Sequence, residues 1–200
     1  MQAEWFEDAY RGTPPWDIGR RQPAFEKLAD AGLIASPVLD AGCGTGENAL
    51  FLAARGFEVV GLDAVASAVE AARAKAAERG MRAEFLVHDA LDLGELGRTF
   101  QTVIDSGLFH TFGDVERARY VAALAEVLRP GGLYHVLCFS DAEKGEGGPR
   151  RVTRAELRAA FGRPPFIVRS IDPEHLSTRD GRPREAWLAS VERVQDENDA

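Results

Sequence analysis

The stretch VLDAGCGTGE, residues 38–47, sets three glycines, Gly42, Gly44 and Gly46, into five positions directly after an apolar run. A loop that bare, between a strand and a helix, lets a ligand press against backbone. Its spacing is G-x-G-x-G, one residue tighter than the G-x-G-x-x-G with which dinucleotide loops aim a helix amino terminus at a pyrophosphate. Asp63 closes the next apolar run, about 20 residues on, where a carboxylate accepts hydrogen bonds from ribose hydroxyls. Nicotinamide and adenosyl sites share that feature, so Asp63 points to a ribose and leaves the cofactor open. Further along, His110 follows another apolar run and has the chemistry of a general base for an acceptor that arrives protonated.

The elements that must hold these residues alternate. PVLDAG, EVVGLD, AEFLVHD, TVIDSG and GLYHVLCFS read as strands, separated by helical stretches, the pattern of an α/β protein with a mostly parallel sheet. ENALFLAARG and ASAVEAARAKAAERG end at Gly56 and Gly80, suited to left-handed caps. DVERARYVAALAEVLRPGG reads as a helix stopped at Pro130, followed by Gly131 and Gly132. TRAELRAAFG opens with Thr153 and Glu156 in capping-box register. FIVRSID and AWLASVERV then read as two antiparallel strands joined by a polar loop that contains His175. The aromatic, turn-rich segment before the sheet and the charged DAEKGEGGPR loop are both placed to cover a site at the carboxyl ends of the strands.

Composition narrows the partners. A chain of 200 residues fits one domain, and 24 Lys plus Arg against 32 Asp plus Glu gives a net charge of -8, which repels nucleic acid and anionic lipid. Cys43 and Cys138 have no paired spacing, no basic-then-apolar leader opens the chain, and no apolar run reaches membrane-spanning length. The expectation is a cytoplasmic protein without nucleic-acid or membrane partners, its oligomeric state left open.

Over residues 37–140 the chain resembles the class I S-adenosylmethionine-dependent methyltransferases. The resemblance rests on VLDAGCGTG, VVGLD, HDA and LRPGG in that order. It implies a Rossmann-like seven-stranded sheet, mostly parallel with an antiparallel last strand, helices on both faces and an N-terminal lid. The implied layout is a single domain over 1–200, with 1–30 as lid and 31–200 as core. It implies S-adenosylmethionine as cofactor, with Gly42 and Gly44 against its methionine part and Asp40 near its amino group. Asp63 would take the ribose hydroxyls, Ala64 would lie on the adenine, and Asp89 and the Ala90 backbone would meet the adenine edge. The backbone at Asp105 and Ser106 would hold the methionine end, and no metal is implied.

PPWDIGRRQP resembles the segment that closes over the cofactor in halide, thiol and thiopurine methyltransferases, which adds Trp16 to the cofactor contacts. With VIDSGLFHTF, LCFSD and GPRRV it also resembles small bacterial methyltransferases of heteroaromatic hydroxyl or ring-nitrogen acceptors. Both imply a small-molecule acceptor, an aromatic or heteroaromatic O, N or S nucleophile first and a halide or thiol second. A nicotinamide oxidoreductase and a cofactor sensor without turnover are the rivals. Methyl transfer by in-line displacement needs orientation and a dry pocket more than a protein nucleophile. Trp5, Phe6, Tyr10, Phe109 and Phe139 are candidates to line that pocket, and Arg20, Arg21, Arg150 and Arg151 are either anion contacts or solvated surface. His88 and His135 read as structural, and His175 as a loop residue within reach of the acceptor.

Overall fold

Strand residues alternate in direction, so a sheet covered on both faces needs apolar residues at successive positions. The computed structural model, which describes residues 2–145 and 147–195, turns five such runs into parallel strands. They are β1 (Val38–Ala41), β2 (Val59–Asp63), β3 (Glu84–Val87), β4 (Phe100–Ser106) and β5 (Leu128–Phe139). A hairpin of β6 (Phe166–Ser177) and β7 (Pro183–Arg193) completes one seven-stranded sheet in the order β3-β2-β1-β4-β5-β7-β6. Only β7 runs antiparallel, to both its neighbours.

The helices are α1 (Gln2–Tyr10), α2 (Pro23–Asp30), α3 (Glu47–Ala54), α4 (Ala66–Glu78), α5 (Asp114–Val127) and α6 (Arg154–Phe161). Leu39, Leu62, Val103 and Val136 pack on one face with Tyr120 and Leu124 of α5 and Leu157 and Phe161 of α6. Their neighbours Val38, Val59, Ile104 and Leu137 pack on the other with Phe25 of α2, Leu50 of α3 and Val69 of α4. Among the described residues, no helix is long and apolar enough to cross a membrane.

Several expectations are corrected. The covering segment ends at Gln22, not near residue 30, because α2 buries Ala24, Phe25 and Leu28 in the core. The helix expected to stop at Pro130 ends at Val127 and passes directly into β5. Pairing then jumps from Phe100–Leu128 to Thr102–Leu133, so the Pro-Gly-Gly run forms an irregularity in the strand. A Cβ on Gly132 would stand 2.8 Å from the Arg129 carbonyl oxygen, which explains the glycine. His175 lies within β6, paired with Glu185 of β7, because the hairpin strands are longer than their apolar runs.

The strand order reverses between β1 and β4. Ligands of open α/β sheets bind outside the carboxyl ends at such a switch point. The Gly42 loop leaves β1 there and the Ser106–Leu108 turn leaves β4.

Candidate functional site

Gly42, Gly44 and Gly46 have φ of +70°, +53° and +84°, the left-handed region that favours glycine. Their missing side chains serve different ends. A Cβ on Gly42 would lie 3.1 Å from Leu108 Cβ, and one on Gly44 would lie 2.7 Å from the Tyr10 hydroxyl. On Gly46 it would meet Ala72 at 2.8 Å and the Phe85 ring at 2.9 Å, which makes Gly46 a packing residue behind the loop.

Gly46 is the N-cap of α3 and has no side chain to offer. Fully buried Asp40 stands in from β1: its Oδ2 accepts the Ala49 N–H at 3.1 Å, one of the orphan donors of the first turn. Its Oδ1 is buried without a hydrogen-bond partner. Burial pushes the Asp40 carboxyl up to about 8, with the Ala49 bond opposing and Asp105 and Asp63 adding to the rise. A buried acceptor with no donor is costly unless a ligand supplies one.

Asp63 ties β2 to the loop. Its Oδ2 accepts Gly44 N–H at 2.8 Å and its Oδ1 accepts Val65 N–H at 2.9 Å. Each carboxylate oxygen can accept a second donor, so hydroxyls can still bind. Burial raises its pKa against those backbone bonds. Ala64 beside it is exposed. Asp89 caps a short 3-10 helix, Ala90–Leu96, by accepting Leu91 N–H at 2.9 Å through one oxygen, while Ala90 is buried beneath.

Asp105 has a different role from Asp40. Its oxygens accept Leu108 N–H at 2.8 Å, Phe109 N–H at 3.1 Å, Tyr134 hydroxyl at 2.9 Å and Tyr120 hydroxyl at 3.2 Å. Its side chain therefore faces the core and shapes the turn after β4, leaving only its backbone for a ligand. Burial still holds its pKa at about 6.

The N-terminal segment is fastened on both sides of the glycine loop. Glu7 accepts Ala66 N–H at 3.1 Å and the Ser67 hydroxyl at 2.9 Å, capping α4, which has no cap side chain of its own. Asp17 accepts the Thr45 hydroxyl at 3.0 Å. On the other side the Gln22 amide accepts Ser177 N–H at 2.9 Å and donates to the Ser177 carbonyl at 3.0 Å, while Arg179 N–H reaches the Pro15 carbonyl at 2.8 Å. Trp16 donates from Nε1 to the Tyr10 hydroxyl at 3.0 Å and packs on Trp5 and Phe6 with ring centroids 5.6 and 5.7 Å away. Burial, then the Asp63 charge, raises the Tyr10 pKa and keeps its hydroxyl protonated.

Beyond the turn after β4, His110 is buried, with Nδ1 accepting Phe139 N–H at 3.0 Å. That bond fixes the proton on Nε2. Burial, reinforced by Arg117 and Arg151, holds the imidazole down at about 3. A general base is corrected to a neutral donor, since its one free nitrogen already bears a proton. Phe139 is half-buried, its ring 4.7 Å from His110 and 5.8 Å from the Arg151 guanidinium. Phe109, expected to line the pocket, is fully buried against Phe161 at 5.6 Å and beneath the Arg117 guanidinium at 4.6 Å. The turn of 3-10 helix that carries both residues sends His110 one way and Phe109 into the core.

His175 is exposed on β6, 3.7 Å from Glu185. Its neighbour Leu176 takes the inward direction, so His175 points away from the cleft. His135 is spanned by Ser190 Oγ at 2.8 Å and the Leu33 carbonyl at 3.0 Å, and His88 by the Asp92 carbonyl at 2.8 Å. Arg21 pairs with Glu26, and Arg150 with Asp114 and Glu156. Sequence reading missed Glu7, Gln22, Arg179 and Asn48, whose Oδ1 accepts Gln22 N–H at 2.8 Å, as fasteners of the N-terminal segment, because long-range polar bonds follow no period. A hollow of about 750 Å³ lies at the opposite, amino-terminal ends of β2 and β3, lined by Glu58, Val59 and Glu84 among others, away from these groups.

A model of a methyltransferase domain matches residues 38–132. The 2-heptyl-1-hydroxyquinolin-4(1H)-one methyltransferase of Mycobacteroides abscessus is 40% identical over 184 residues, 86% of this chain and 81% of that protein. A structure solved in work on conversion of a disulfide bond into a thioacetal group during echinomycin biosynthesis superposes with TM-score 0.90 at 37% identity, over 99% of this chain and 95% of that one. Magnesium protoporphyrin IX methyltransferase of Synechocystis, solved with S-adenosylmethionine bound, shares the fold at 24% identity and TM-score 0.67, over 86% of this chain and 77% of that one. With the glycine loop at the switch point and a relative of that identity along most of its length, the chain belongs to the S-adenosylmethionine-dependent methyltransferases.

Proposed function

We propose that the protein methylates an oxygen of a small, flat heteroaromatic acceptor. The observation that carries the reading is the His110–Phe139 wall beside the turn after β4, aromatic and bearing a neutral N–H donor, where the acceptor would meet the methionine end of the cofactor. The hydroxyquinolinone methyltransferase relative supports the same acceptor class.

S-adenosylmethionine, when bound, supplies an electrophilic methyl: the acceptor's lone pair forms the new bond to carbon as the carbon–sulfur bond breaks, its electrons staying on sulfur. The unpaired Asp40 Oδ1 fits the ammonium group, and the glycine loop that follows it, packed under Leu108 and the Tyr10 hydroxyl, would hold the methionine part. Asp63 retains acceptor capacity for ribose hydroxyls, with Ala64, Asp89 and Ala90 on the adenine side. Trp16, Phe6 and Tyr10 close the cleft and exclude water, so the dispersal of sulfonium charge takes place in a medium that favours it. Holding donor and acceptor in line is worth roughly 7 to 11 kcal/mol.

A second reading, transfer to a thiol, draws on the disulfide-to-thioacetal work attached to a close structural neighbour. A competition assay with labelled S-adenosylmethionine, 2-heptyl-1-hydroxyquinolin-4(1H)-one, a simple thiol and iodide separates the two. Label on the ring oxygen supports the proposal; label mainly on sulfur or iodide overturns it.

A further inference from the structure

We propose that His110 positions the acceptor as an oxyanion, donating from Nε2–H to its oxygen beside the turn after β4. This deepens the heteroaromatic reading and rests on it. The backbone N–H of Phe139 occupies Nδ1 at 3.0 Å, so the ring has one nitrogen left and that nitrogen holds the proton. Gly107, with φ +81°, has no side chain on the side facing the ring: a Cβ there would lie 3.2 Å from His110 Nε2 and 3.8 Å from Leu176 Cδ1. The ring packs this closely on Gly107, which places the Nε2 donor beside the turn that leaves β4 at the switch point, where the acceptor would meet it.

The surrounding charges favour an anion. Those that act on the ring are the guanidiniums of Arg117 on α5, itself bridged to Glu156 of α6 at 3.2 Å, and Arg151 on the segment entering α6, while β5 and β6 present Phe139 and Leu176. Arg151 is held in place by donating to the carbonyls of Gly145, Gly147 and Pro149 and lies over the outer side of the Phe139 ring. A neutral imidazole that donates cannot also remove a proton, so the acceptor gives up its proton to solvent before it binds. Selectivity then follows acidity: hydroxyls that ionise near neutrality are substrates, and simple alcohols and protonated amines are not.

The test measures kcat/KM against pH for wild type, His110→Gln and His110→Phe with 2-heptyl-1-hydroxyquinolin-4(1H)-one and a more acidic ring-substituted analogue. Gln keeps an amide N–H donor and an oxygen for the Phe139 N–H but has no basic nitrogen. The expected result is a loss of about 10- to 100-fold in His110→Phe, mostly in KM, and recovery of at least about tenfold in His110→Gln. The pH profile should move with the acceptor's own pKa and keep its shape in His110→Gln. An inflection common to both acceptors and lost in His110→Gln would restore the base role and overturn the proposal.

Wild-type protein labelled with 15N-histidine provides a readout that needs no variant. In the S-adenosylhomocysteine complex His110 should be the neutral Nε2–H tautomer, and its proton should shift when acceptor is added. An Nδ1–H tautomer, or an unmoved Nε2–H, overturns the assignment. Wild-type turnover of thiol or iodide alone overturns the heteroaromatic reading together with the oxyanion. Heteroaromatic turnover with both variants equally impaired overturns the donor role alone.

Discussion

Asp40 buries one satisfied and one unsatisfied oxygen, and that asymmetry predicts how stability depends on pH. Burial raises its carboxyl from 3.8 to about 8. The folded chain therefore keeps the Asp40 proton through a window in which the unfolded chain has released it, and stability falls as pH rises from about 4 to about 8. Asp105, raised to about 6, has the same sign but acts lower, and His110 and His135, held at about 3 and 4, act with the opposite sign below their ordinary value. His110 and His135 are shared by wild type and Asp40→Asn and cancel in the difference, while Asp105, coupled to Asp40, cancels in part. Over pH 6 to 8 the slope approaches about 1.4 kcal/mol per pH unit at the low end and halves at the pKa, so the variant should gain about 2 kcal/mol on wild type, or about 5–10 °C in Tm. Thermal unfolding of the cofactor-free proteins by circular dichroism at pH 6, 7, 8 and 9 reads this directly. Melting temperatures that differ by a constant across the series would refute the buried-ionisation argument. The same variant should bind S-adenosylmethionine more weakly. Calorimetry at pH 7 in two buffers should show wild type releasing a proton as the ammonium arrives beside Asp40, and the variant releasing none.

Phe109→Ala should cost about 3–5 kcal/mol by opening a cavity against Phe161 and beneath the Arg117 guanidinium, and the protein that still folds should retain its acceptor KM; a KM effect without destabilisation would return Phe109 to the pocket lining. Glu7→Gln should cost about 0.5–2 kcal/mol by weakening the cap on α4, seen as faster hydrogen exchange at Ala66 and Ser67, while S-adenosylhomocysteine affinity falls because the lid loses a fastening. Unchanged exchange there would remove Glu7 from the lid contacts. Gly46→Ala and Gly56→Ala share a left-handed φ, but Gly56 faces open space and Gly46 faces Ala72 and Phe85, so only Gly46→Ala adds a packing clash of about 1–3 kcal/mol to the backbone strain. Equal losses in chemical denaturation would show that strain alone matters at both.

The seven strands and their directions were legible because each contains a β-rich run bounded by turn residues, the central ones, β1, β2, β4 and β5, being mostly buried on both faces. Boundaries failed where pairing outlasted the apolar pattern: β6 continues through exposed Asp172, Pro173 and His175 because β7 supplies partners, and no periodicity records that. The glycine loop and Asp63 stood out because glycine spacing and one carboxylate at a strand end suffice to mark them, whereas Asp40 was marked only by the family resemblance. The acceptor side was not. His110 and Phe109 are adjacent in sequence and both buried, and only the turn of 3-10 helix decides that Phe109 packs on Phe161 while His110 packs on Phe139.

Asp40 and Asp105 make the same point about satisfaction. They sit one residue out of register on adjacent strands, since Asp40 pairs with Ile104 and Ala41 with Asp105. Strand alternation therefore sends them to opposite faces, Asp40 toward α3 and Asp105 toward α5. On the α5 face Tyr120 and Tyr134 and two turn amides complete Asp105, and a carboxylate so surrounded has little left for a ligand. On the α3 face the cap position is a glycine, so Asp40 gains one helix donor and no more. The glycine at the cap thus leaves the Ala49 N–H to Asp40 Oδ2, while Oδ1 has no partner. A serine at position 46 would offer α3 a cap of its own, but its Cβ would strike Ala72 and Phe85. Packing behind the loop enforces the glycine, and the glycine leaves Asp40 to serve α3 with one oxygen while the other stays open to a cationic donor.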